Sequence, residues 1–501
     1  MPDHTLNGLL DQTTLGKLPP TVRRPAYDRS RLRVGLAHIG VGAFHRCHQA
    51  EYTEDMLEVA FGDWGILGIN VRPPGLAALA LQDGLYSRTL RQGDATDIRI
   101  IGCIKELIDA QANVLPAVSA LGRPELSVVT MSVTEKGYCH VPATGELDWS
   151  HPDIRHDLED SENPRSLVGL LATVLDHRRR DGLPGLTLIS CDNIASNGKV
   201  LESVVGQFVE TKSPELARWI RDEVRFPSTM VDRIVPATNA EDVTFASRAC
   251  GFVDRVPVVG EPFRQWVIED AFATKRPPWD AAGAQFVAEV QPYELIKMRL
   301  LNAAQSAFAY FGALCGLQFT CDSAADSALS SIVRRMLTME ALGTLKDAPG
   351  MLPGAYVDQV FERISNPAIR HVNHQVATDG SQKLIQRMLN PIRERRHLGL
   401  ETDALALAVS AWVAYLLAST ARFGSRWPAQ DPLAQEMQAI AARESSFEAI
   451  ANAVVNLRSI FGDDLQEGGL AAAIADHLPS LLSSDVHNYL RQYAGSSTVV
   501  G

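Results

Sequence analysis

The chain has 501 residues, 46% of them hydrophobic and 21% charged, the composition of a globular protein long enough for two cores. A formal net charge of −12, with no basic run to offset it, repels phosphate backbones and excludes nucleic acid as a partner. Seven scattered cysteines (Cys47, Cys103, Cys139, Cys191, Cys250, Cys315 and Cys321) form no CxxC and no cluster with metal-ligand spacing. Free thiols, a reducing cytoplasm and no bound metal are therefore expected.

In chain order, MPDHTLNGLLDQTTLGKLPP lacks the basic-then-apolar order of a signal peptide, and the proline-bearing start is expected to wrap the surface of the first domain. Arg33–Gly40 (RVGLAHIG) is an apolar run ending in glycine, a parallel-strand pattern. It leads through Gly42-Ala43-Phe44-His45 into AEYTEDMLEVA, which has helical character, and a second strand comes next at Trp64–Val71. Strand, glycine turn and helix present backbone N–H groups to a pyrophosphate. The candidate dinucleotide turn is thus Ile39, Gly40, Val41, Gly42, Ala43, Phe44 and His45. His45 stands where the third glycine of GxGxxG would be, and a plain strand-to-helix turn also explains a bare GxG.

After the second strand comes Asn70-Val71-Arg72-Pro73-Pro74-Gly75, without the carboxylate that a NAD site commonly places there. Arg72 could meet a 2′-phosphate or simply be a solvated loop residue, so NAD is the expected cofactor with NADP left open. Further strand-like runs at Tyr86–Leu90, Ile98–Cys103, Leu126–Val133 and Leu186–Ile189, with helical stretches at 166–180 and 199–211, predict an α/β sheet with helices on its faces. Polar loops succeed two of these strands, at Thr134-Glu135-Lys136-Gly137-Tyr138 and at 190–198, and Thr134 and Glu135 join the cofactor candidates.

From about residue 286 alanine- and leucine-rich amphipathic stretches take over (293–316, 325–344, 404–421, 432–456, 468–482). The expected organisation is α/β, with a Rossmann-like dinucleotide-binding domain over 1–285 and a mostly α-helical substrate and catalytic domain over 286–501. Ala404–Ala421 is uncharged, but Ser410, Ser419 and Thr420 interrupt it, so it reads as a buried helix and not a membrane span. Tyr293–Gly312 (YELIKMRLLNAAQSAFAYFG) has helical periodicity, and Lys297, Asn302 and Gln305 fall within an arc of about 140° at ~100° per residue. A lysine and two amides turned inward are costly unless a ligand or the backbone satisfies them.

Seven stretches, in order, resemble the polyol-specific long-chain dehydrogenase family, that of mannitol 2-dehydrogenase and fructuronate reductase (mannonate oxidoreductase). They are HIGVGAFHRCHQ (38–49), SVTEKGYC (132–139), SCDNIASNG (190–198), FPSTMVDRIVP (226–236), EPFRQWVIED (261–270), KMRLLNAAQSAFAYFG (297–312) and DGSQKLIQR (379–387). The resemblance implies metal-independent hydride transfer, with Lys297, from the family's KxxxxNxxH motif, as general base. It implies that Asn302 and Asn193 donate to the oxygen that alternates between alcohol and carbonyl. Buried lysine chemistry and amide donors suit that task. The motif's histidine is replaced by Gln305, which can orient a hydroxyl but cannot take up a proton near neutral pH. Hydrogen bonding alone, an altered substrate scope, or lost catalysis are the three consequences to weigh; the retained Lys297, Asn193 and Asn302 favour an active enzyme.

DGSQKLIQRML, preceded by His374-Gln375, resembles the fructuronate reductase branch more than the mannitol branch, which makes Gln375, Lys383 and Arg387 substrate-binding candidates. The two cations could pair with a sugar-acid carboxylate or form ion pairs within the protein. Asp232 could accept from polyol hydroxyls or anchor its loop through Arg233. The expected function is an NAD(P)-dependent, cytoplasmic, monomeric oxidoreductase of a sugar acid or polyol, with no membrane partner. The alternatives are a mannitol- or arabinitol-type dehydrogenase of uncharged polyols, and a dinucleotide-binding protein impaired in catalysis.

Overall fold

The computed structural model describes residues 6–141, 144–466 and 469–496. The chain divides into two compact units, Met1–Gln291 and Pro292–Gly501. In the first unit the strands are β1 (Val34–Ile39), β2 (Gly65–Asn70), β3 (Tyr86–Gln92), β4 (Ala95–Ile101), β5 (Ile104–Asp109), β6 (Val128–Met131), β7 (Thr187–Ser190), β8 (Thr229–Asp232), β9 (Val258–Gly260), β10 (Gln265–Glu269) and β11 (Gln285–Val287). The central sheet runs β5-β2-β1-β6-β7, and every pair in it is parallel. Apolar side chains cover both faces, as a parallel sheet requires. On one face Leu171, Leu201 and Val205, from helices Leu167–Arg180 and Asn197–Lys212, pack against Ile39, Leu67 and Val129. On the other, Ala50, Met56 and Leu57 of helix α2 (Gln49–Val59) pack against Leu36 and Ile66. A short helix α1 (Ala43–Cys47) precedes α2.

Two predicted strands lie outside this sheet. Tyr86–Gln92 and Ala95–Ile101 pair antiparallel with each other, and β3 also pairs with β9. Only Gly93 and Asp94 separate them, with Gly93 at φ +54°, and a link that short closes a hairpin but cannot make a parallel crossover. The edge strand β5 (IKELID) is one that its alternating charges concealed.

The second unit is helical among its described residues. The segment predicted as one continuous α-helix is broken: Gln291–Ile296 is α-helical, Lys297–Asn302 is a π turn, and Ala303–Leu314 is α-helical again. Two further π turns occupy Met336–Ala341 and Ile385–Leu389. The stretch 432–456 is two helices, Ala434–Arg443 and Phe447–Val455, the second capped by Ser446 Oγ accepting from the Ala449 N–H. Ala404–Leu417 is buried on every side within helix Asp403–Leu417. The Glu340 carboxylate accepts from the Ala404 and Leu405 N–H groups at 2.8 and 2.8 Å, closing that helix's N-terminus. Among the described residues no helix is long and apolar enough to cross a membrane. All seven cysteines are free thiols.

Candidate functional site

In the first unit the carboxyl ends of β1, β2 and β6 surround a cavity of about 440 Å³, within the range of small-molecule sites. Gly40 holds φ +95°, and a Cβ there would stand 2.1 Å from the Ser132 carbonyl oxygen, so only glycine lets the two loops approach. The Val41 N–H donates to Asn70 Oδ1 at 2.6 Å, and Asn70 Nδ2 donates to the Pro74 carbonyl at 2.9 Å. One amide at the end of β2 thereby ties both loops of a dinucleotide-type crevice together. The Gly40, Val41 and Gly42 N–H groups are taken by the Ile69 carbonyl, Asn70 Oδ1 and the Gly40 carbonyl, so the fit to a pyrophosphate-bearing cofactor rests on the close glycine turn and the start of α1 behind it.

Of the cofactor candidates, Ile39, Gly40, Gly42, Arg72 and Thr134 line the cavity. Val41, Ala43, Phe44, His45 and Glu135 do not. His45 is buried, its ring stacked on His38 with centroids 3.5 Å apart. Burial holds the His38 pKa down to about 3 and His45 well below the ordinary imidazole value, so both are neutral at pH 7. At the position of the missing third glycine, His45 therefore fills the packing beneath the turn. Arg72 lies on the cavity wall in an ion pair with Asp153.

The loops after β6 and β7 are joined by Asp192. Its carboxylate accepts from the Val133 N–H (3.0 Å), the Thr134 N–H (2.9 Å) and the Tyr138 hydroxyl (2.7 Å). Burial raises its pKa to about 6 in spite of these donors. Asn197 secures the same loop from below: its Nδ2 donates to the Asp192 and Thr229 carbonyls at 3.0 and 3.0 Å, and its Oδ1 accepts from the Thr229 N–H at 2.9 Å. A Cβ on Gly198 would lie 2.4 Å from the Phe226 carbonyl oxygen, which explains the glycine that closes SCDNIASNG. Asn193 is exposed on this braced loop. Asp232 ends β8 and is buried, and Arg233 donates to the Glu51 carboxylate, the Cys47 carbonyl and, at 3.0 Å, the Phe263 carbonyl.

In the second unit Lys297 and Asn302 are both buried and bound the π turn. A π turn closes i→i+5, so residues five apart sit on successive turns, where an α-helix would splay them. Two arginines brace it. Arg299 makes a forked pair with Glu394 at 2.7 and 2.5 Å, and Arg387 donates to the Asn302 carbonyl at 3.1 Å and to Ser306 Oγ at 2.9 Å. Arg387 belongs to the π turn Ile385–Leu389, so one π turn steadies another. Gln305 lies half-buried just beyond Asn302. Lys383 donates to the Thr378 carbonyl and, at 3.5 Å, to that of Val376, closing its own loop. Gln375 is exposed on the short helix Asn373–Val376.

Sequence reasoning overlooked Asn70, Ser132, Asp153 and Asp192 as site residues. Asn70 and Asp192 both stand at strand carboxyl ends, a signal that could have marked them. Asp153 carries no such signal, because it reaches the cavity from a distant helix.

Residues 34–281 match the mannitol dehydrogenase Rossmann domain, and residues 289–482 match the mannitol dehydrogenase C-terminal domain. D-mannonate oxidoreductase of Escherichia coli (strain K12) is 40% identical over 451 residues, 89% of this chain and 92% of that protein. Mannitol 2-dehydrogenase of Phaeosphaeria nodorum is 36% identical over 478 residues, 94% of this chain and 83% of that protein. The solved structure of Pseudomonas fluorescens mannitol 2-dehydrogenase, a ternary complex with NAD and D-mannitol, superposes with a TM-score of 0.90 at 33% identity, covering 97% of this chain and 99% of that one. With both domains matched in order, and full-length relatives above 30% identity, the chain belongs to the mannitol dehydrogenase family.

Proposed function

We propose that this protein is an NAD-dependent oxidoreductase interconverting a sugar acid or polyol with its keto form, with a fructuronate-type keto acid as the leading substrate class. The observation that carries this reading is a buried lysine and a buried carboxamide held at the two ends of one braced π turn. Residues 1–285 are read as the cofactor domain and 286–501 as the substrate and catalytic domain. Gly40, Gly42 and Thr134 would hold the dinucleotide, whose nicotinamide supplies the hydride acceptor or donor when bound.

Lys297, a buried amine, takes the hydroxyl proton in oxidation and returns it in reduction. Asn302 and Asn193 donate to the substrate oxygen as charge develops on it. Gln305 orients a neighbouring hydroxyl without carrying a proton. The protein acts as a cytoplasmic monomer in this reading, and light scattering checks the monomer. A screen of ketoses, keto acids and polyols with NADH or NAD at the nicotinamide absorbance band tests the activity. Silence across the panel, with cofactor still binding, would replace it by the impaired dinucleotide-binding alternative.

A second reading, turnover of uncharged polyols, has its own support. Arg387 and Lys383, the cations assigned to a carboxylate, already donate to Asn302, Ser306 and Thr378. Comparing kcat/KM on fructose with that on fructuronate separates the two.

A further inference from the structure

The cavity at the ends of β1, β2 and β6 has an uneven wall. Arg72, Lys136 and Arg165 bring three cations to it, and Asp153 is the single carboxylate among its described lining residues. Arg72 Nη2 lies 2.6 Å from Asp153 Oδ2 and also donates to the Arg165 carbonyl at 3.3 Å. Asp153 sits in the first turn of helix Pro152–Glu159, behind the His151 cap. The Arg72 side chain is 66% exposed, and among the described residues Asp153 is the acid that its guanidinium pairs with.

The segment after β2 carries no acid of its own, yet that is the place where a dinucleotide site discriminates the ribose 2′ position. We propose that Asp153, reaching in from a separate helix, is the residue that selects NAD over NADP. Its carboxylate neutralises Arg72, the cation best placed to meet a 2′-phosphate. It also presents an acceptor to ribose hydroxyls and repels a phosphate in the same position. Without it, the charged residues described on the wall are all cations, a setting suited to the extra phosphate. This inference rests on the reading of the cavity as the adenosine end of the dinucleotide site.

The test is direct titration of the purified full-length protein with NADH and with NADPH, monitored by cofactor fluorescence, with no sugar present. Wild type is expected to bind NADH at least tenfold more tightly than NADPH. Asp153→Asn keeps the shape and removes the charge; it should tighten NADPH at least tenfold and weaken NADH, whose ribose hydroxyls lose a charged acceptor, so the NADH-to-NADPH preference falls by more than tenfold. The double variant Asp153→Asn/Arg72→Ala should lose that gain, because the released guanidinium is what binds the phosphate. Asp153→Ser, with melting temperatures of all variants, separates a charge effect from a misfolded helix: the same shift in preference is expected from it. An unchanged NADH-to-NADPH ratio in Asp153→Asn and Asp153→Ser, a wild type that prefers NADPH, or a double variant that keeps the gain would each overturn the proposal. Wild type binding neither cofactor would instead overturn the reading of the cavity, and this inference with it.

Discussion

The guanidinium of Arg387 donates to the backbone carbonyl of Asn302 at 3.1 Å and, through the same nitrogen, to Ser306 Oγ at 2.9 Å. A side chain that the sequence offers as a substrate cation thus also carries the π turn that bears the proposed base and donor. Arg387→Ala should lower kcat about 100-fold on charged and uncharged substrates alike, since misplacing a reacting group by about 1 Å costs that order. Stability should fall by about 1.5–3 kcal/mol, the worth of a buried bond to a charged donor. Arg387→Lys keeps the charge but not the rigid planar guanidinium that fixes the donor nitrogen, and should recover stability more than turnover. If KM for sugar acids alone rises and kcat holds, Arg387 binds the carboxylate and does not position the turn.

Lys297→Met removes the amine and retains much of the buried stem. Turnover should drop by about two to four orders of magnitude, the scale of a lost general base. NADH titration should be unaffected. Near-normal turnover would reject Lys297 as the base.

Gln305→His restores the residue that the family motif carries. The pH–rate profile of the variant should gain an ionisation near the ordinary histidine value of about 6.5, absent from the wild type. A wild-type profile already showing that ionisation would mean another residue supplies the group.

Asp192 connects stability to pH. Burial lifts its carboxyl to about 6 in the folded protein, above the value of about 3.9 in an unfolded chain. The folded state therefore holds the proton to higher pH, and the stability this contributes is full below about pH 4 and is lost as pH rises through about 6. Melting temperatures of wild type and Asp192→Asn, compared from pH 4 to 7, should show the wild type losing ground across that window. A pH-independent difference would mean that the three donors from Val133, Thr134 and Tyr138 offset the desolvation.

Much of the first unit is legible in the sequence because its signals are local. RVGLAHIG, WGILGINV and the intervening helix are contiguous in the chain, and the structure places β1, α1, α2 and β2 on them. Gly40 is legible for the same reason, since a strand ending in glycine announces a turn, although the need for it lies in the distant Ser132 carbonyl. The lysine and amides of Tyr293–Gly312 stand out as polar residues in an apolar run. Their actual disposition does not, because an ideal 100° step hides the π turn that rewinds them.

What the sequence by itself determined is the order of elements, the two-part composition and the family's motifs, all carried by residues within a few turns or strands of one another. The tertiary structure alone decided that β3 and β4 leave the parallel sheet, that Arg387 braces Asn302, and that Arg72 faces Asp153 across 81 positions of chain. Periodicity and spacing report on neighbours along the chain. Pairings such as these are chosen by which distant groups can bury, or neutralise, each other once the chain has closed on itself.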